Sequence, residues 1–240
     1  MRFDTIKDMK KALIILGPPG SGKGTQANLV AQKYNVFHLD TGRFLENLVH
    51  DSSLQTDPEV MRERDNFDSG KLLTPSFFIK WFFKKVEDVA LRGEGIVFSG
   101  SPRTQEEAFG AASDDSGLIA LLERLYGKDG VVVFLLEVPK EVSIERNSKR
   151  IICSVCGGGI LGVLNLNLSQ CPFCGGSLRT RTLDTHDVIK VRLEEYRKRT
   201  MPIIEGLTKR GFVINHIDAT PMPFEVFDSI SSIIDDTQKK

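Results

Sequence analysis

Neither sign of charge predominates in this chain: 32 lysines and arginines balance 32 aspartates and glutamates over 240 residues, with only four histidines beside them. A neutral chain has no global field to hold nucleic acid or an anionic membrane, so any anion site must come from local placement. Long apolar runs are also missing. None reaches the ~20 residues that a membrane-spanning helix needs. The opening stretch Met1–Lys11 is mixed in charge and lacks the apolar centre of a secretory signal. A cytoplasmic protein without nucleic-acid or membrane partners is expected. Cysteine is scarce, and the four present fall in two close pairs. That grouping suits metal binding in a reducing compartment better than disulfides.

What is there points to one α/β domain with inserts. Lys11–Leu16, Val36–Leu39, Gly95–Phe98, Val131–Leu136 and Phe212–Ile217 read as five strands. Helical patterns cover Lys23–Tyr34, Arg43 to about Ser69, Pro75–Leu91, Val142–Arg150, Asp187–Arg210 and Pro223–Ile234. Gly110–Gly117 reads as a surface loop, and residues 151–180 are Gly-rich without a helical period. Strands alternating with helices predict a parallel sheet covered on both faces. Ligands of such sheets bind beyond the carboxyl ends of the strands, where the turns at Gly17, Asp40 and Ser99 lie. The aromatic cluster Phe77–Phe83 reads as core, and His38 and His216 as packing at strand ends.

Between the first strand and the first helix stands Gly17-Pro-Pro-Gly20-Ser21-Gly22-Lys23-Gly24-Thr25. Glycines let backbone N–H groups turn inward, and with the helix N-terminus they form an anion cradle. Lys23 adds a mobile charge for β- and γ-phosphates, and the Thr25 hydroxyl meets phosphate or its metal. This is a nucleoside-triphosphate loop.

GPPGSGKGTQA resembles the loop of the adenylate kinase family, and the similarity continues in order along the chain. Asp40-Thr41-Gly42 is similar to the start of the family's monophosphate-binding segment, and Gly70-Lys71-Leu72-Leu73 to its end. Gly100-Ser101-Pro102-Arg103-Thr104 resembles the motif whose arginine holds the acceptor phosphate. Arg146 and Arg150 lie at the spacing of two arginines entering the mobile lid, and Arg181 and Arg192 match two on its return. The resemblance implies a five-stranded P-loop core over residues 11–240, a monophosphate segment at 40–73, a lid at 151–184 and an extension at 1–10. It also implies a monomer working with ATP and Mg²⁺. Lys23, Arg103, Arg150, Arg181 and Arg192 would gather on the transferred phosphoryl group. Arg146 would pack on the donor base. Thr41, Arg43, Leu73 and Glu107 would line the acceptor site. The reaction implied is transfer from ATP to AMP. A different acceptor such as GMP, or a weakly catalytic nucleotide sensor, fits the same fold.

Several positions depart from the pattern. Glu46 stands where the family has an arginine for the monophosphate. A carboxylate ~4 Å from a phosphate costs about 4 kcal/mol per unit charge at an effective dielectric near 20, which excludes contact. Arg43, three residues earlier, either reaches the phosphate instead or pairs with Glu46 on the surface. Ser99 replaces the aspartate that orients magnesium waters, while Asp40 takes the place of a serine on the neighbouring strand. Asp40 then either serves the metal or caps the next helix. Glu107 replaces a glutamine that reads adenine. A carboxylate only accepts hydrogen bonds, which favours guanine, whereas Thr41 favours AMP and an exposed Glu107 would read nothing. Leu183 and Pro221 differ as well, with Asp184 retained.

Cys153-x2-Cys156 and Cys171-x2-Cys174, each followed by Gly-Gly, have the spacing of a four-thiolate zinc site. Four protein ligands leave no open position, so the zinc is structural. About thirty residues build little core, and metal should supply much of this segment's folding energy. Chelation is therefore expected to loosen residues 151–184 and depress turnover while the core stays folded. Limited proteolysis with circular dichroism checks this, and equal stability and activity without metal would refute it.

Overall fold

The computed structural model describes residues 9–68, 73–111, 116–160, 168–180, 184 and 186–238. The expected sheet is present. Its strands are β1 (Ala12–Leu16), β2 (Phe37–Asp40), β3 (Ile96–Ser99), β4 (Val131–Glu137) and, last in the chain, β8 (Ile214–Asp218). They run parallel in the order β2-β3-β1-β4-β8. β1 is buried at every residue, and its side chains alternate between two cores. Ala12, Ile14 and Leu16 face one containing Phe78, Phe82 and Leu122. Leu13 and Ile15 face another containing Val30, Phe134 and Ile230. An unbroken apolar run is what a strand covered on both faces requires.

Ten helices are described: α1 (Lys23–Tyr34), α2 (Thr41–Val49), α3 (Pro58–Asp68), α4 (Pro75–Leu91), α5 (Gln105–Phe109), α6 (Leu118–Tyr126), α7 (Lys140–Ser148), α8 (His186–Glu195), α9 (Met201–Lys209) and α10 (Pro223–Thr237). The aromatic stretch on α4 is core as expected: Phe77, Phe78 and Phe82 are buried, and Phe78 stacks on Phe82 at 4.5 Å. Two features differ from the sequence reading. Leu118–Tyr126 is helical because Leu118, Ile119, Leu121 and Leu122 pack into the core. The charged helix after residue 186 is not continuous α-helix. A widened π turn, Tyr196–Thr200, separates α8 from α9. It lies just before Pro202, which has no N–H to carry the i to i−4 ladder onward. Of the expected loop Gly110–Gly117, residues 112–115 lie outside the described residues.

The cysteine-bearing segment makes a small antiparallel sheet, β6 (Gly159–Ile160), β5 (Ile151–Cys153) and β7 (Leu178–Arg179), with β5 in the middle. In the α2–α4 segment, Val49, Val60 and Phe77 form a satellite core. Beside it the side chain of Glu63 is fully buried. It accepts from the Thr74 N–H at 2.9 Å and the Thr74 hydroxyl at 3.0 Å, with Arg62 and Asn66 also donating. Burial alone would raise its carboxyl pKa, but these donors outweigh burial and hold it below the usual range. Glu63 thereby ties the end of α3 to the start of α4.

Glu63→Ala leaves the Thr74 N–H and Arg62 without their acceptor and is expected to cost about 2–4 kcal/mol in urea denaturation. Because the folded pKa is depressed, the contribution is complete above the ordinary glutamate value and is lost as pH falls through the lowered one. The difference between wild type and variant should therefore shrink in acid.

Candidate active site

The loop after β1 curls over the start of α1. Gly20 has φ of +81°, and a Cβ there would sit 2.5 Å from Asn147 Nδ2 and 2.7 Å from the Ser143 carbonyl. Only glycine lets the loop lie this close to α7. Ser143 Oγ donates to the Pro19 carbonyl at 2.5 Å and locks the same contact. Gly22 is the N-cap of α1 with φ of +89°, and no side chain caps the helix. The first N–H groups of α1 are thus left for an anion. Above Gly22 and Gly24 a Cβ would meet nothing within 4 Å. Lys23 Nζ donates to the carbonyls of Gly17 and Pro18, 2.8 Å each, and lies folded across the loop.

Arginines surround that lysine. Burial first, then the charges of Arg103, Arg192 and Arg150, push the Lys23 pKa down to about 7. Asp184, buried at 8% exposure, organises two of them. Arg150 Nε lies 2.9 Å from Asp184 Oδ2, and Arg150 Nη2 donates to Oδ1 at 3.0 Å. Arg192 Nη1 reaches the same Oδ1 at 3.1 Å. Arg103 Nε donates to the Gly100 carbonyl at 2.7 Å, and the Thr200 hydroxyl in the π turn donates to the Arg103 carbonyl at 2.9 Å. Arg146 donates to the carbonyls of Ala219 and Thr220 at 2.7 and 2.9 Å, in the loop that leads to Pro221. Arg181 and Leu183 lie outside the described residues.

The four cysteine sulfurs all lie within 4.8 Å of one another. Cys153 and Cys174 are 3.5 Å apart, and Cys156 and Cys171 are 3.8 Å apart. Zinc–sulfur bonds of about 2.3 Å in a tetrahedron demand sulfurs about 3.8 Å apart, so the cluster fits this ion. The N–H groups of Cys156 and Val155 point at Cys153 Sγ and pull its thiol pKa below the usual range. Each knuckle closes through a glycine in the left-handed region. Gly157 (φ +70°) and Gly175 (φ +71°) donate to the carbonyls of Cys153 and Cys171.

Thr41, Leu45, Leu73, Phe78, Ser101, Arg103 and Glu107 enclose a slot between α2, α4 and α5. Leu73 is present in it, while Gly70, Lys71 and Leu72 lie outside the described residues. Glu107 is 9% exposed, its Oε2 accepting from the Arg103 N–H at 2.7 Å. It is therefore no exposed helix glutamate. Burial drives its pKa up, against the pull of the Arg103 N–H and guanidinium. At the strand ends Asp40 and Ser99 are register partners. Asp40 Oδ1 caps α2 by accepting from the Arg43 N–H at 3.3 Å. His38 Nε2 lies 2.7 Å from Ser99 Oγ, and its Nδ1 lies 2.7 Å from Asn28 Oδ1.

Comparison with known proteins settles the family. The family model described as adenylate kinase matches residues 15–212. The chain belongs to the adenylate kinase family. It is 31% identical to an adenylate kinase of Clostridium tetani over 224 residues, 92% of this chain and 97% of that protein. It is 33% identical to one of Methanothrix thermoacetophila over 225 residues, with the same shares covered. An adenylate kinase of Methanosarcina barkeri is 31% identical over 225 residues. The chain is thus an enzyme that transfers phosphate between ATP and a nucleoside monophosphate, in a family that uses ATP and Mg²⁺. No helix among the described residues is long and apolar enough to cross a membrane.

Within this family the site shows two departures from the sequence reading. Arg43 and Glu46 are both exposed and form no ion pair among the described residues. The Arg43 guanidinium lies against the zinc knuckle, so close that a Cβ on Gly157 would be 2.8 Å from its Nη1. His38 is not mere packing. It links Asn28 on α1 to Ser99, and no pattern in the sequence joins those three positions. For magnesium the strand ends offer oxygens from the register partners Asp40 and Ser99, hard donors suited to that cation.

Phosphate arriving beside Lys23 should restore its ordinary pKa. At about pH 8 the free amine is largely neutral and the bound one charged, so ATP binding takes up close to one proton. Calorimetry in buffers of different ionisation enthalpy measures this uptake, and Lys23→Met should abolish it.

Proposed function

We propose that the chain transfers the γ-phosphate of ATP reversibly to AMP, giving two ADP. The pairing of Arg150 and Arg192 on Asp184, with their charges and that of Arg103 felt at Lys23, carries this reading. Transfer between two phosphates needs alignment and charge neutralisation more than proton chemistry. Backbone N–H groups at Gly20, Gly22, Lys23, Gly24 and Thr25 hold the donor's β- and γ-phosphates, and that of Ser21 joins them on leaving the Pro18 carbonyl, 3.1 Å away. Lys23 leaves the Gly17 and Pro18 carbonyls to follow the charge. Arg103 takes the acceptor phosphate, while Arg150, Arg181 and Arg192 neutralise the phosphoryl group in flight. Guanidinium forks grip phosphate bidentately, which an ammonium cannot do. Arg146, steadied on the Ala219 and Thr220 carbonyls, flanks the donor base. Thr25, Asp40 and Ser99 would hold the magnesium or its waters, and the ion would neutralise charge between the donor phosphates.

Residues 40–73 serve as the acceptor-binding segment and 151–184 as the lid on a core spanning 11–240. Zinc on Cys153, Cys156, Cys171 and Cys174 keeps the lid folded. Closure excludes water, so phosphoryl transfer outcompetes hydrolysis. The names of the relatives and Thr41 at the segment's start support AMP as the acceptor.

A coupled assay of ADP formation from ATP and AMP tests the reading. Wild type is expected to turn over, and Arg150→Ala to lose roughly 10²–10³-fold in kcat with the nucleotide KM changed far less. A variant with an unaltered kcat would remove Arg150 from the transition state. Wild type that makes no ADP would remove the reaction.

A further inference from the structure

The slot beside Arg103 combines flat apolar walls with an unusual polar set. Leu45, Leu73 and Phe78 supply the walls. Thr41 Oγ1 and Ser101 Oγ are buried, at 1% and 0% residue exposure, and neither meets a partner among the described residues. Glu107 Oε2 accepts from the Arg103 N–H at 2.7 Å, and the Thr104 N–H also donates to the carboxyl group, which keeps lone pairs for a further donor. Two orphan hydroxyls in an apolar slot are costly until a ligand or water satisfies them. A planar ring with a hydrogen-bonding edge does so.

We propose that Glu107 is a specificity-determining residue that opens the acceptor pocket to 6-oxopurine monophosphates, GMP and IMP, alongside AMP. The proposal rests on reading the slot as the acceptor-base site. An ionised carboxylate only accepts. Guanine offers adjacent N1–H and N2–H donors, and hypoxanthine offers N1–H. Either hydroxyl can donate to the O6 of both bases. Adenine instead presents the N1 lone pair, which an ionised Glu107 repels. Its N6–H can still donate to the carboxylate, but only a protonated carboxyl can also donate to N1 and so satisfy both groups.

The two forms of one side chain thus read two classes of base. Burial favours the protonated form, and the Arg103 N–H and guanidinium favour the ionised one. Glu106, the neighbour on α5, also opposes ionisation, while α2 and α4 present apolar Leu45 and Phe78 to the slot. Preference for 6-oxopurines over AMP should therefore rise with pH.

The test compares kcat/KM for AMP, GMP and IMP with ATP, in wild type and Glu107→Gln, below and above neutrality. Wild type should phosphorylate all three, with the GMP-to-AMP ratio rising with pH. Glu107→Gln should lower that ratio by about 10–100-fold and flatten its pH dependence. Wild type that uses AMP alone, or a ratio that Glu107→Gln leaves in place, overturns the proposal while the kinase reading stands. If no monophosphate is phosphorylated, the kinase reading fails instead. Calorimetric titration of AMP and GMP onto both proteins then decides the base preference. GMP binding that Glu107→Gln selectively weakens upholds it, and equal effects on both nucleotides overturn it.

Discussion

A main-chain anion cradle held under a cluster of like charges is the constraint on which the rest of this molecule depends. Lys23, Arg103, Arg150 and Arg192 repel one another, and burial, with the field of the three arginines added to it, already drags the lysine pKa to about 7. Four cations stay this close only because other interactions hold them. Asp184 pairs with both Arg150 and Arg192, the Gly100 carbonyl steadies Arg103, and the loop's own carbonyls hold Lys23. The arrangement is poised for polyphosphate, whose charge relieves the repulsion. Electrostatics assembled before the substrate arrives need little reorganisation during reaction.

The supporting structure follows from that requirement. β1 is buried on both faces and delivers the loop rigidly. Ser143 and Asn147 on α7 press the loop into place, and the same helix leads to Arg150. The π turn places Thr200 where its hydroxyl meets the Arg103 carbonyl, joining the acceptor side of the site to the helix that bears Arg192. Arg43 against Gly157 brings α2 into contact with the cysteine knuckle. These links tie the phosphate loop, the slot beside Arg103 and the cysteine-bearing sheet together.

Much of this was legible in the linear sequence. Five apolar strands alternating with helices, the glycine loop ending in Lys23, and the two cysteine pairs each have a signal within a few residues. Such signals reflect local physics: backbone freedom at glycine, period-matched burial, and ligand spacing in a knuckle. Helix α6 was missed because a short apolar run does not distinguish helix from strand. The π turn was missed because its cause, Pro202, acts one turn back along a pattern that otherwise reads as continuous helix.

Chain order and residue type by themselves determined the sheet, the phosphate loop, the four-thiolate set and the family. They did not determine the surroundings of single polar side chains. Glu107 could have been an exposed helix residue, and only packing against α2 and α4 buries it. His38 meets Ser99 and Asn28 because two strands and a helix converge. Arg43 turns to the cysteine knuckle rather than to Glu46 because Gly157, more than a hundred residues away in sequence, lies within its reach. Ionisation and hydrogen bonding depend on neighbours in space, and the fold alone brings those neighbours together.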